Sequence, residues 1–232
     1  MVSLKARVAA TALAGLVVLT GCAHNTDEAL RVGDTTITNA QVDDTATRVT
    51  EALAPEGVSG VTGQVRGSVV ELQAFVEVAR RYAQEHRITP EQPDYASAAE
   101  TLTLPENDPF VRLNAEASVY LTALLAQATP RDPSDDEIRQ VYNDFLALTG
   151  ANPAEVTYDA IKGELLGVPD YGQALALRDQ LSEAADRYGV TVNPRYQPVT
   201  YALLSVSTQA GRLDLVTLPL GQQGTGAVTS AN

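Results

Sequence analysis

The sequence predicts a mainly α-helical protein with one small β-hairpin near its N-terminus. Through most of the chain, apolar residues recur at spacings of three and four, which is typical of amphipathic helices. Before the first such stretch, the pair Gly33-Asp34 separates two short runs of β-type residues, which is typical of a hairpin turn. A second β-type run, at 190–193, follows the last helical stretch. We expect it to pair with the hairpin and tie the two ends of the fold together.

Capping signals divide the helical region into five to seven predicted helices. Thr38 with Gln41, and Ser134 with Glu137, have the spacing of capping boxes, in which each residue caps the other at a helix N-terminus. Gly189 stands where a glycine commonly follows the last helical residue. The predicted helices lie at about 39–53, 62–86, 95–102, 109–128, 135–149, 158–166 and 171–188.

The longest predicted helix, at about 62–86, is apolar on two sides. One stripe consists of Val65, Val69, Leu72, Val76, Ala79 and Ala83. The second stripe consists of Val70, Phe75, Val78 and Tyr82. Such a helix either lies in the middle of a bundle or presents one side to a partner. The second stripe is therefore either part of the core or the lining of a binding cradle, and both interpretations stay open here.

Residues 1–21 have the features of a lipoprotein signal peptide, with Cys22 as the lipidation site. Lys5 and Arg7 precede an apolar stretch at about 8–19, which is shorter than the about 20 residues of a membrane-spanning helix. The stretch ends in Leu-Thr-Gly-Cys, which resembles the lipobox of bacterial lipoproteins, where the cysteine receives a diacylglycerol. The alternative is an ordinary signal peptide with a chance cysteine, but Cys22 is the only cysteine in the chain.

Charge and cysteine content narrow the class of protein further. The formal net charge of -13 argues against nucleic acid as a partner, because binding to phosphates needs a basic surface. A single cysteine allows no internal disulfide, so the fold must depend on a hydrophobic core, for which a chain of this length suffices. We therefore expect an extracytoplasmic protein held at the cell membrane by the acyl chains on Cys22.

The sequence carries no recognisable catalytic or metal-binding constellation. Its two histidines, His24 and His86, stand in the polar tether and at a helix end, and the usual metal-ligand spacings are absent. No nucleophile elbow or phosphate-binding loop is present; the glycine-rich run 60–67 has no strand before it. We therefore expect neither enzymatic activity nor a cofactor or metal site.

Three segments, in order along the chain, resemble the SurA-type chaperone family. Residues 32–38 (VGDTTIT) resemble the opening strand pair of that family, of the form V-[NG]-[GD]-x-x-I-T. Residues 134–142 (SDDEIRQVY) resemble its helix opening, [ST]-[DE]-x-E-[IL]-x-x-x-Y. Residues 188–196 (YGVTVNPRY) resemble the closing segment of actinobacterial SurA-like lipoproteins. The resemblance covers about residues 29–200 and implies a SurA-like helical hand.

The resemblance also implies a function: a membrane-anchored chaperone that binds unfolded or secreted polypeptides without catalysis. Many members of the family carry a parvulin-type prolyl isomerase domain before the closing helix. Here only residues 150–170 lie in that interval, which is too short for such a domain. The alternative is a structural or scaffold lipoprotein that binds one defined partner in the cell envelope.

These expectations give four regions along the chain. After the signal peptide, residues 22–28 form a lipidated tether, and residues 29–200 form the SurA-like helical domain. Residues 201–232 hold a terminal strand, around 203–206, and a tail that we expect to be disordered from 221 onward because it lacks an apolar pattern.

Overall fold

The fold is known from a computed structural model that describes residues 27–54, 60 and 62–221. The signal peptide, Cys22 and the tail beyond residue 221 lie outside the described residues. Within them the protein is mainly helical, as predicted, with seven α-helices and five β-strands. The helices are α1 (Asn39–Leu53), α2 (Gly63–His86), α3 (Tyr95–Leu102), α4 (Pro109–Gln127), α5 (Asp135–Thr149), α6 (Tyr158–Leu166) and α7 (Tyr171–Arg187). The strands are β1 (Glu28–Val32), β2 (Thr35–Thr38), β3 (Thr191–Val192), β4 (Thr200–Thr208) and β5 (Gly211–Pro219).

A three-stranded antiparallel sheet joins the two ends of the helical region. Its strand order is β2-β1-β3, with the hairpin turn at Gly33, whose φ of 60° lies in the left-handed region that glycine adopts without strain. Leu30 pairs with Val192, and Arg31 with Thr191. The predicted hairpin and its pairing with the late strand are both confirmed.

The helix ends follow the local capping signals. In the first capping box, Gln41 N donates to Thr38 Oγ1 at 3.3 Å, and Thr38 N donates to Gln41 Oε1 at 2.8 Å. The second box, between Ser134 and Glu137, is also formed. All seven helices lie within a residue or two of their predicted bounds, because a cap is set by side chains close to it in sequence.

Helix α2 is the central element of the core, and most residues of both apolar stripes are buried. Val70, Phe75 and Val78, from the second stripe, are all 0% exposed. The Phe75 ring stacks on Tyr201 of β4 with 3.8 Å between ring centroids. These side chains therefore belong to the core and do not line a cradle. Tyr82, at the end of the stripe, is only partly buried, and its hydroxyl donates to Gln180 Oε1 at 3.1 Å.

A cluster of charges holds the N-terminal hairpin against α2. The carboxylate of Glu77, which is 8% exposed, accepts hydrogen bonds from Thr35 Oγ1 (2.9 Å), Arg80 Nη1 (2.8 Å) and Arg81 Nε (3.0 Å). Arg81 also pairs with Asp34 in the hairpin turn. The buried carboxylate is thus fully compensated, as a buried charge must be.

Strands β4 and β5 form a separate antiparallel hairpin that packs on the helices. The prediction of one strand around 203–206 was too short and missed β5, which continues to Pro219. Leu203, Leu213 and Leu218 belong to the same core cluster as the helices and the N-terminal sheet. The hairpin is therefore an integral part of the fold, and the predicted boundary at residue 200 falls inside β4.

None of the described helices combines the length and the hydrophobicity needed to cross a bilayer.

Candidate functional site: the groove between α5 and β5

A groove of about 270 Å³ lies between α5 and β5, with α7 contributing a third side. Helix α5 provides Glu137, Gln140, Val141 and Asp144. Helix α7 provides Tyr171, Leu175 and Arg178, and β5 provides residues 213–217. We name this surface the α5–β5 groove.

Strand β5 lines one side of the groove with five consecutive residues, 213–217. In the described part of the chain β5 pairs only with β4. Helix α5 packs directly against the start of the strand, where Leu148 lies next to Gly211. The groove is therefore a narrow gap between a helix and a strand that are in contact.

Four apolar residues of the groove lining are almost fully buried. Val141, Leu175, Leu213 and Leu215 are all less than a tenth exposed and belong to the main core cluster. They anchor α5, α7 and β5 in the core. The geometry of the groove is consequently set by packed core residues of α5, α7 and β5 and not by a loop.

An ion-pair network fixes the α5 end of the groove to α7. Glu137 Oε1 accepts from Arg131 Nη2 at 2.6 Å and from Arg178 Nη2 at 2.5 Å. Arg131 Nε also donates to Asp179 Oδ2 at 2.6 Å, so two arginines bridge two carboxylates. The hydrogen bonds from Arg131, aided by the Ser134 N–H and Arg178, hold the pKa of Glu137 well below its usual range. With two arginines and two carboxylates, this network is neutral overall.

The remaining charge of the groove is negative. Asp214 pairs with Arg212 at 2.8 Å and accepts a hydrogen bond from Ser205 Oγ at 2.7 Å. Asp144 is exposed, and within the described residues it forms no ion pair. The carboxylate of Asp144 is thus the uncompensated charge of the groove wall.

Tyr171, one of the lining residues, has a buried hydroxyl without a partner. Tyr171 is 3% exposed, and its hydroxyl makes no hydrogen bond within the described residues. Burial, and then the nearby negative charge of Glu137, raise the pKa of Tyr171 to about 12, so the hydroxyl stays protonated. An unsatisfied buried polar group of this kind has a free-energy cost to the fold.

Glu71 of α2 lies near Asp214 and Arg212 of β5. Burial, with repulsion from Asp214, raises its pKa to about 7, and the attraction of Arg212 offsets only part of this. An acid whose pKa is raised in the folded state loses stability as the pH increases from its unfolded pKa, about 4.5, to its folded pKa, about 7. Ionised Glu71 therefore destabilises the protein at neutral pH and adds to the negative charge around β5.

Replacing Glu71 by glutamine is expected to raise the free energy of unfolding at pH 7 by about 1–2 kcal/mol. The full pKa shift corresponds to about 3 kcal/mol, which we reduce because the side chain is partly exposed and screened by solvent. At pH 4.5 the change is expected to be small, because Glu71 is already protonated in the folded state. Urea unfolding at both pH values measures this difference, and Glu106→Gln, an exposed loop position, is the control. An equal effect at both pH values would show that charge is not the cause.

The residues singled out from the sequence do not come together in this groove. His86 lies at the end of α2 and stacks on Tyr82 with 4.1 Å between ring centroids. Cys22 and His24 lie outside the described residues. In the region that the structure describes, no group of three or more histidine, cysteine or acidic side chains is placed to hold a metal ion. The groove residues Asp144 and Tyr171 were missed, because nothing in the sequence pattern indicates which side chains meet across α5, α7 and β5.

No family model, no curated protein and no solved structure matches this chain.

Proposed function

We propose that this protein is a membrane-anchored, extracytoplasmic, chaperone-like protein that binds extended polypeptides without catalysis. The observation that carries the proposal is the order of four sequence features: a lipobox that ends at Cys22, followed by residues 32–38, 134–142 and 188–196, which resemble the SurA-type chaperone family. Chaperones of that family bind unfolded polypeptides, and the resemblance would give this chain the same role.

Each of these features supports a different part of the proposal. The lipobox ending at Cys22 would place the protein outside the cytoplasm and at a membrane surface. The three segments that resemble the SurA-type family stand in the order that the family has. The net charge of -13 would favour encounters with basic unfolded chains.

A second candidate is a scaffold lipoprotein that binds one defined partner. It is favoured by the small amount of exposed apolar surface. Among the described residues, the exposed large hydrophobic side chains are Leu148 and Leu166, at 36% and 55%. Sites that bind many partners usually present a larger contiguous apolar patch. The two candidates differ in the number of different proteins that they bind: a chaperone binds many unfolded polypeptides, and a scaffold binds one partner.

Light scattering from an aggregating unfolded protein tests the proposal. The chain from residue 23 onward contains the whole described core and is the material for this test. With several unrelated clients, suppression of aggregation at near-stoichiometric ratios is expected, and an inert acidic protein of similar charge is the control. Suppression of no client would contradict chaperone activity. Co-purification of a single envelope protein would then support the scaffold.

A further inference from the structure

We propose that a pocket between α1, the start of α2 and the segment 194–196 binds the phosphate group of an anionic phospholipid headgroup through Arg66 and Arg195. The pocket, which we name the arginine pocket, is lined by Asp43, Gly63, Arg66, Arg195 and Tyr196. This inference rests on the membrane anchoring that is part of the proposed function. It adds a second contact between the anchored protein and the membrane.

The arginine pocket is small and open to solvent. Its volume of about 270 Å³ is several times the about 30 Å³ that one water molecule takes up in the liquid. It lies just below the range of about 300–1,000 Å³ typical of pockets for larger ligands. Gly63 and Arg195 are exposed, and in the described part of the chain a Cβ atom at Gly63 would have no contact within 4 Å outside its own helix. The pocket therefore has room for a phosphate group that enters from solvent.

Both guanidinium groups of the pocket are held in place by neighbouring side chains. Arg66 Nε donates to Asp43 Oδ1 at 2.6 Å. The Arg195 guanidinium lies over the Tyr196 ring, 4.6 Å from its centroid, and Nη2 donates to the Tyr196 hydroxyl. Tyr196 is buried, and its hydroxyl donates to Asn39 Oδ1 at 3.0 Å. Because these contacts restrain both arginines, binding of a ligand would cost less side-chain entropy than it would at free surface arginines.

The arginine pocket is positively charged, although the chain as a whole is acidic. Asp43 compensates Arg66, whereas Arg195 forms no ion pair among the described residues. Two arginines and one aspartate leave one positive charge in a chain whose formal net charge is -13. The planar fork of N–H donors in arginine matches the oxygens of a phosphate group. A phosphate has several acceptor oxygens, so it can accept hydrogen bonds from both arginines.

The position of the pocket indicates where the phosphate would come from. The segment 194–196 is tied to the start of β1, because Asn193 Nδ2 donates to Glu28 O at 2.9 Å. Glu28 follows Cys22 by six residues, which span at most about 21 Å when fully extended. An acyl anchor on Cys22 would thus keep this side of the protein close to the bilayer. Lipid headgroups are then the phosphates nearest to the pocket.

The anchor is a condition for this contact. The net charge of -13 opposes approach of the whole chain to an anionic membrane, so the chain without lipid is expected to remain in solution. Acyl chains on Cys22 would hold the protein at the surface and raise the effective concentration of headgroups around the pocket. The pocket would then orient the anchored protein on the membrane, while the acyl chains supply the attachment.

Modification of arginine by phenylglyoxal, followed for each residue by mass spectrometry, tests the inference. In the chain from residue 23 onward, inorganic phosphate is expected to slow the modification of Arg195 about threefold relative to chloride at the same ionic strength. Arg112 is the internal control and is expected to react at an unchanged rate. It is exposed, lies 4.8 Å from the centroid of the Tyr95 ring and forms no ion pair among the described residues.

The source of the phosphate is tested with the chain from Cys22 onward, coupled to a maleimide lipid through its only thiol. Vesicles of equal parts phosphatidylglycerol and phosphatidylcholine are expected to protect Arg195 more than vesicles of phosphatidylcholine alone. The phosphatidylcholine vesicles control for simple shielding by the bilayer surface, because their headgroup has no net charge. The chain from residue 23 onward, which has no tether, is expected to gain no protection from either kind of vesicle.

A substitution that strengthens binding separates a role in binding from a role in folding. Asp43→Asn removes the acidic side chain of the pocket lining and is expected to strengthen binding of inorganic phosphate about threefold. Asp44→Asn, at the next position of α1 and outside the pocket lining, is the matched control and is expected to change the affinity little. The phosphate concentration that half-protects Arg195 measures both affinities. Equal affinities of the two variants would contradict the assignment of the site.

The outcomes also separate this inference from the proposed function. If neither inorganic phosphate nor anionic vesicles protect Arg195, the pocket does not bind phosphate, although the chaperone-like function stands wherever aggregation is suppressed. If inorganic phosphate protects Arg195 but tethered anionic vesicles do not, the pocket takes a phosphate from solution and the headgroup is the wrong source. If Arg195 is protected as expected but no client is kept from aggregating, the headgroup site stands and the chaperone-like function does not.

Discussion

Replacing Phe75 by alanine is expected to lower the free energy of unfolding by about 3–5 kcal/mol, the range found for truncating a large buried aromatic residue. Phe75 is 0% exposed and stacks face to face on Tyr201, so the variant removes the ring from the contact between α2 and the β4–β5 hairpin. The neighbouring side chains Val70 and Val78 are also fully buried and hold fixed positions, so the cavity can close only in part. Urea unfolding followed by circular dichroism measures the change.

The matched control is Leu166→Ala, which removes an apolar side chain that is 55% exposed on α6. Its expected effect is below about 0.5 kcal/mol, because little apolar surface returns to water. Phe75→Leu keeps most of the apolar volume and is expected to fold and to suppress aggregation of unfolded clients like the wild type, since Phe75 is fully buried. Loss of this suppression by a stably folded Phe75→Leu variant would return the second stripe of α2 to the client site.

This result matters for the function because the second stripe of α2 was one candidate for a client cradle. Its burial means that the helical region is packed at that stripe. The proposed polypeptide binding therefore needs a surface other than the second stripe of α2.

The helices and the N-terminal hairpin could be predicted because their signals are local. Thr38 and Gln41 are three residues apart in the sequence, and the structure shows the capping box that this spacing predicts. The same holds for Ser134 with Glu137 and for the turn at Gly33. In each case the residues that fix the element are within a few positions of one another.

Strand β5 and the groove could not be predicted, for two physical reasons. The alternation of buried residues in β5 changes phase at Leu215 and Val216, which are both buried, and the pairing with β4 is irregular around Leu204. A bulge of this kind breaks the period of two on which strand prediction depends. The groove itself arises where residues such as Asp144, Tyr171 and Leu213 meet through tertiary packing, and no periodicity in one segment reports on that meeting.

The proposed membrane anchoring depends on one residue, Cys22. Replacing Cys22 by alanine is expected to abolish incorporation of labelled palmitate completely, because no other cysteine is available in the chain. Each buried methylene of an acyl chain contributes about 0.8 kcal/mol to membrane binding. One chain alone binds reversibly, whereas two acyl chains on the same cysteine anchor a protein stably. We therefore also expect the wild-type protein to enter the detergent phase on phase separation. Metabolic labelling of cells that express each variant, followed by mass spectrometry of the N-terminal peptide, measures the modification.

Cys22→Ser is the matched control, because serine has nearly the same size but no thiol to form the thioether. It is expected to behave like Cys22→Ala, which would show that the thiol chemistry and not the fit of the side chain is required. A wild-type protein that takes up no palmitate would mean that residues 1–21 act as an ordinary secretory signal. The protein would then be released, and its acidic surface would give it no attraction to anionic lipid headgroups. Client binding would in that case occur in solution and not at a membrane surface, so lipidation of Cys22 is the test of the membrane-anchored form of the proposal.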